Sequence, residues 1–229
     1  MPKISEKIEV ALEIGKKRVF ASALDWPGWS RSGSDEGLAL DSLCASGPRY
    51  AGLLQIAGMK FQAPTDSTAF VVIERLDGNP TTDFGAPGIS PSSDDNPVSE
   101  AELKHFLALM KAYWQAFDTA ILLAAGKELS KGPRGGGREL EQIIEHVLGA
   151  DAAYLRRIGW KFKLNENGDP SDELGQIRVA IAQGLSASVH GELPAQGPRG
   201  GAYWTPRYFV RRSGWHVLDH TWEIEDRIS

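Results

Sequence analysis

His216 and His220 stand four residues apart in Trp-His-Val-Leu-Asp-His-Thr-Trp-Glu, and a third histidine, His146, lies seventy residues upstream. On a helix, positions four apart fall one turn above each other, about 5–6 Å between Cβ atoms. Two imidazoles so placed can grip one metal ion, and His146 from a facing helix would complete three protein ligands. Three ligands leave a coordination position open for water or substrate, which marks a reactive metal and not a structural one. Val217 stands where His-Glu-x-x-His metalloproteases carry their general base. The Glu-x-x-His pairs of di-iron bundles are absent as well. Asp219 points about 60° away from His216, so it reads as a solvated acid or as an outside support for a histidine.

Other residues are candidates for work near such a site. Asp151 falls in the middle of an apolar helical stripe, where a carboxylate costs several kcal/mol unless paired. It reads either as half of a salt bridge to an arginine or as a proton-handling catalytic group. The pentapeptide Gly-Pro-Arg-Gly-Gly occurs at 132–136 and again at 197–201, shortly before each histidine-bearing helix. Arg134, Arg138, Arg199 and Arg207 would offer guanidinium forks to an anion or to an anionic thiol cofactor. The bland alternative is a pair of soluble connectors. Tyr208, Trp215 and Trp222 recur every seven residues and read as a second packing face, against another helix, the N-terminal domain or another subunit. Cys44 is the single cysteine; it excludes an internal disulfide framework and reads as an inert helix residue.

The elements that position these residues fall into two parts. Ile8–Ile14 alternates as a strand, Gly15–Arg18 supplies a turn, and 19–24 returns as a second strand. Asp25–Gly33 is turn-rich around Pro27-Gly28. A helix starts near Ser34, with Asp35 and Glu36 in its first turn, and Gly47-Pro48 stops it. A second short helix covers 49–57, and Thr68–Glu74 is β-branched and aromatic, hence a strand. Residues 77–97 are rich in Gly, Pro, Ser, Thr and Asp and read as a linker. From Ser99 onward the spacing is helical, with helices expected over 99–121, 138–158, 171–190 and 206–228. In the last helix Val210, Val217, Ile224 and Ile228 form one stripe, and His220 and His216 lie roughly 60° and 100° from its centre. The long connection over 159–170 frees the second and third of these helices from running antiparallel.

Of the 229 residues, 41% are hydrophobic and 24% charged, an ordinary globular balance. The net charge of -5 gives no electrostatic support to nucleic-acid binding. No apolar run approaches the roughly 20 residues that span a bilayer. A cytoplasmic protein with a small-molecule substrate, and no nucleic-acid or membrane partner, is the expectation; a homodimer is compatible with it.

On these residues the segment 98–229 resembles the DinB-like superfamily, whose members include mycothiol-dependent maleylpyruvate isomerase and bacillithiol transferases. The likeness is carried by His146 in Glu-His-Val-Leu-Gly-Ala-Asp-Ala-Ala-Tyr-Leu-Arg-Arg and by the His216/His220 pair. It implies an all-α, up-down-down-up four-helix bundle. It also implies a divalent metal, zinc or nickel, on those three histidines, activating a low-molecular-weight thiol. Residues 1–76 are similar to the HicB-like fold, a small α+β unit of β-β-β-α-β order. That likeness rests on Val19-Phe-Ala-Ser-Ala-Leu-Asp-Trp-Pro-Gly followed by Ser-Gly-Ser-Asp-Glu-Gly-Leu-Ala-Leu. It implies a short strand after the Pro-Gly turn and a small antiparallel sheet with helices. Trp29 departs from its pattern and no DNA-binding appendage is present, so the unit reads as a scaffold or accessory binding domain. The expectation is a metal-dependent enzyme performing thiol transfer or isomerisation. Metal-assisted hydrolysis, or a non-catalytic binding protein whose N-terminal domain recognises a partner, are the alternatives.

Overall fold

Alternation of apolar residues builds the first sheet. β1 (Ile8–Ile14) turns at Gly15, whose N–H bonds the Arg18 carbonyl at 2.9 Å, into β2 (Val19–Ala23). These features come from a computed structural model that describes residues 7–131, 137–165, 167–194, 196–198 and 200–228. The chain forms two compact units, Met1–Asn96 and Pro97–Ser229.

In the first unit, the Trp26–Trp29 turn places Pro27 and Gly28 at its centre, with Gly28 at φ 106 and the Trp29 N–H donating to the Trp26 carbonyl. Proline fixes the first central position and glycine alone takes the positive φ of the second without strain. The turn leads to β3 (Ser30–Gly33), antiparallel to β2, then to α1 (Glu36–Ile56) and β4 (Phe70–Asp77). The strand order is β3-β2-β1-β4, and β4 runs parallel to β1. The sheet is therefore mixed and not antiparallel as expected. A helical crossover between β3 and β4 returns the chain to the end from which β3 started, which makes the last pairing parallel.

One helix replaces the two expected over 34–57. Asp35, not Ser34, caps it by accepting from the Leu38 N–H, and it runs on through Pro48. A proline inside a helix costs about 3 kcal/mol. Here its ring lies at an exposed position while Leu43, Gly47, Tyr50 and Leu54 pack inward. Trp29 is fully buried, stacks on Tyr50 with ring centroids 5.1 Å apart, and donates its indole N–H to Ser46 Oγ. A Cβ at Gly47 would meet Pro64 at 3.1 Å. That packing supports a helix that continues through Pro48.

The segment expected as a linker carries structure of its own. Asn79 caps α2 (Pro80–Phe84), and a 3₁₀ turn spans Ser92–Asp95. The buried Glu13 carboxylate on β1 accepts from the Gly88 N–H, the Ile89 N–H and the Thr82 hydroxyl, which ties this stretch to the sheet.

The second unit is all-helical: α3 (Glu100–Ala124), α4 (Leu140–Arg157), α5 (Pro170–Val189) and α6 (Pro206–Arg227). Ser99 and Glu102 form a reciprocal capping box on α3, and Thr205 with Pro206 opens α6. Contacts set the directions. Arg207 reaches Glu102 near the starts of α6 and α3, while the Ser130 N–H bonds the Arg227 carbonyl beyond their ends, so these two run parallel. His190 at the end of α5 pairs with Glu100 at the start of α3, so those two run antiparallel. Leu155 and Trp160 close on Gly184, which brings the ends of α4 and α5 together. α6 touches all three other helices and is buried almost all round. The aromatic row Tyr208, Trp215 and Trp222 is buried along with the Val210–Val217–Ile224 stripe. Among the described residues, no helix is long and apolar enough to cross a membrane.

Candidate metal centre

His146 projects from the middle of α4 and His216 and His220 from successive turns of α6. Antiparallel contact of the two helices brings the three together. Nε2 of His146 and Nε2 of His216 are 3.1 Å apart, and the ligand atoms of all three lie within 4.8 Å of one another. Two nitrogens at about 2.0–2.1 Å from one tetrahedral ion would be separated by about 3.3 Å. The observed pair is close to that spacing, so the buried three-histidine group could hold a metal ion.

The electrostatics agree. Burial, then the His220 charge, then Arg138, push the His146 pKa down. His216 sits well below the usual imidazole range, first from burial and then from His220, Arg212, His146 and Arg138. Both shifts favour the neutral imidazole, the form that ligates a cation.

His220 is aimed by a partner that the sequence reading passed over. Its Nδ1 lies 2.7 Å from Glu223 Oε2. The Glu223 pKa is lowered first by that hydrogen bond, so the carboxylate accepts and Nδ1 carries the proton. In the neutral ring that proton on Nδ1 leaves the Nε2 lone pair for a cation, the arrangement by which a carboxylate orients a metal-ligating histidine. Arg227 holds the other oxygen of Glu223 at 2.8 Å and donates from Nε to the Ser130 carbonyl. Gly137, at φ 154, lies against that guanidinium, where a Cβ would come within 2.5 Å of Nη2. The acid that supports a histidine here is Glu223 and not Asp219. The i,i+3 spacing of Glu223 to His220 is the signal that points to the right one. His216 is held differently, edge-on to the Tyr154 ring at 5.6 Å, with a buried Nδ1 that has no hydrogen-bond partner.

Asp151 is buried on α4, yet among the described residues no arginine forms the expected salt bridge with it. Arg178 instead makes a two-point pair with Asp118 at 2.7 and 2.8 Å. Oδ1 of Asp151 has no hydrogen-bond partner, and burial, offset in part by the Arg178 charge, pushes its pKa up to about 7. Of the four arginines named as anion candidates, Arg134 and Arg199 lie outside the described residues. Arg138 is exposed at the entry to α4 and its charge reaches His146 and His216. Arg207 donates to Glu102 at 2.5 Å and to the Pro97 carbonyl at 2.9 Å. Cys44 is half-buried with its pKa raised, first by burial and then by Asp66 and Asp41, which suits an unreactive thiol. Comparison with family models, with curated proteins and with solved structures found no match to this chain.

Proposed function

We propose that this chain is a divalent-metal-dependent enzyme of the DinB-like type, with His146, His216 and His220 as ligands and zinc or nickel as the ion. The observation that carries the reading is the pair of buried imidazoles with Nε2 atoms 3.1 Å apart beside a third imidazole held at Nδ1 by the Glu223 carboxylate. The helix directions, with α3 and α6 one way and α4 and α5 the other, support an up-down-down-up bundle. The β-β-β-α-β order of the first unit supports a HicB-like accessory domain.

A divalent ion at this site would lower the pKa of a thiol or of water towards neutrality. The protein's own residues supply the rest. Glu223 and Arg227 fix the tautomer of His220. Tyr154 and Trp215 flank His216. The positive charges of Arg138 and Arg212 favour an anionic nucleophile over a neutral one. Thiolate and hydroxide gain alike from that field, so the choice of a low-molecular-weight thiol, used for transfer or isomerisation, rests on the DinB-like resemblance, with hydrolysis as the alternative.

Elemental analysis of untagged protein tests the first step. One zinc or nickel per chain is expected, and none in the His146→Ala/His216→Ala/His220→Ala protein. Wild-type protein that stays metal-free after incubation with either ion sinks the proposal. Adduct formation with mycothiol, bacillithiol or glutathione then separates thiol transfer from turnover by water alone, which would reassign the enzyme as a hydrolase.

A further inference from the structure

Arg212 lies one helical turn before His216 on the same side of α6, so Arg212, His216 and His220 form one row at four-residue spacing. Its guanidinium sits 5.3 Å from the centre of the Tyr154 ring and 4.7 Å from that of Trp215. Tyr154 in turn touches His216 edge-on, so one aromatic ring bridges the arginine and the candidate ligand. Three other arginines of this unit pair with carboxylates: Arg178 with Asp118, Arg207 with Glu102, Arg227 with Glu223. Arg212 makes no hydrogen bond or ion pair among the described residues, and its Nη1 is buried without a partner. The side chain is half-buried, and a guanidinium nitrogen enclosed as Nη1 is would ordinarily be paired. Here two aromatic rings flank the guanidinium and leave Nη1 unpaired, with its charge felt at His216.

We propose that Arg212 receives the carboxylate of a small molecule whose reactive end lies at the His146–His216–His220 group. This rests on the metal reading above and adds to it the substrate class, a small carboxylate-bearing thiol or electrophile. The planar fork of arginine matches a carboxylate in two hydrogen bonds. Flanking rings exclude water from that pair and strengthen it. Arg212 is then a binding residue that positions one end of the molecule against the site.

The test uses full-length, cobalt-loaded protein titrated with mercaptoacetate and with its uncharged amide, following the thiolate–cobalt absorption. Wild-type protein is expected to bind mercaptoacetate at least tenfold more tightly than mercaptoacetamide. Arg212→Met should erase that preference while keeping one cobalt per chain and the same affinity for the amide. Arg212→Lys, which keeps the charge but not the fork, should retain part of it, and it carries the test should Arg212→Met lose its helical circular dichroism. Equal affinities of wild-type protein for the two thiols, with cobalt in place, would overturn the proposal. So would displacement of mercaptoacetate by inorganic phosphate at lower concentration than by acetate, which reassigns the anion.

Failure of the metal reading gives a different pattern. Cobalt is then not taken up at all, and the metal-free protein is titrated instead through its tryptophan fluorescence. A response to mercaptoacetate and not to the amide, lost in Arg212→Met, still supports the carboxylate site. No response overturns it.

Discussion

Glu13 and Asp151 are both buried carboxylates, and the two units treat them in opposite ways. Glu13, in the first unit, accepts from two backbone N–H groups and a hydroxyl. Asp151, in the second, keeps an oxygen with no hydrogen-bond partner and a pKa near 7. The contrast extends beyond these two residues. Seven buried side-chain polar atoms lack a partner among the described residues, and only Ser90 Oγ belongs to the first unit. The others are on Trp114, Asp151, Arg178, Arg212, Ser213 and His216, drawn from all four helices of the second. Native interiors satisfy nearly all their polar groups, and a cluster of exceptions calls for an explanation. A saturated carboxylate belongs to scaffold; of the under-satisfied atoms in the second unit, Nδ1 of His216 belongs to the three-histidine group and Nη1 of Arg212 lies one turn before it on the same helix.

The largest effect that can break this comparison is at Glu13. Glu13→Ala strands the donors of Gly88, Ile89 and Thr82 in the interior, at about 1–3 kcal/mol each. A loss of roughly 3–6 kcal/mol is expected in urea unfolding, with the stretch from 77 to 96 becoming the first target of limited proteolysis. Metal content should not change. If instead Glu13→Ala is neutral, saturation of hydrogen bonds does not distinguish scaffold from site here.

Asp151 should respond with the opposite sign. A buried acid whose folded pKa is raised from 3.8 to about 7 holds its proton more tightly folded than unfolded. Its contribution is fully present below the unfolded value and is lost as pH rises through about 7, at a cost of up to about 4 kcal/mol above it. Asp151→Asn is therefore expected to stabilise the chelated, metal-free protein by about 2 kcal/mol at pH 8, with the gain gone by pH 4. His146 and His216 act on the other limb. Their folded pKa values are depressed, so the stability they permit is present above about 6.5 and is lost as pH falls through the lower folded values. The Asp151→Asn difference curve isolates the alkaline limb from them. A destabilised Asp151→Asn protein at pH 8 would mean that the carboxylate is paired after all, and the two buried acids would cease to differ.

Much of the frame was legible in the residues. Ser99 with Glu102 announces the start of α3, Thr205-Pro206 announces α6, and the apolar spacing between such signals carries the helices. β3 was not readable from its own residues, because Ser-Arg-Ser-Gly has no apolar alternation; pairing to β2 makes it a strand. Pro48 misled because its cost is local, while the Trp29–Tyr50 packing that offsets it joins residues far apart in sequence. At the site, the i,i+4 histidines and the arrival of His146 could be proposed from spacing alone. That α4 meets α6 at the right height is long-range information that no window of sequence holds. Glu223 and Arg212 were within reach, at i+3 and i−4 from a histidine already singled out. They were missed because charged residues on a helix usually face water, whereas α6 is enclosed by three neighbours.

Arg207 sharpens the comparison at its smallest scale, since it is an arginine of the same helix as Arg212 with its donors spent. It closes on Glu102 and the Pro97 carbonyl and lies over the Phe106 ring at 5.6 Å. The hydrogen bond from the Ser99 backbone, followed by that from Arg207, draws the Glu102 pKa down to about 2. Because Glu102 is substantially exposed, the pair is screened, and Arg207→Gln should cost no more than about 1 kcal/mol. It should leave the affinity for mercaptoacetate unchanged, where Arg212→Met lowers it at least tenfold. Two arginines five residues apart would then separate cleanly, one fastening the start of a helix and the other reading a ligand. Equal loss of mercaptoacetate affinity in both variants would instead make the anion preference a property of the general positive field around α6 and not of one unpaired guanidinium.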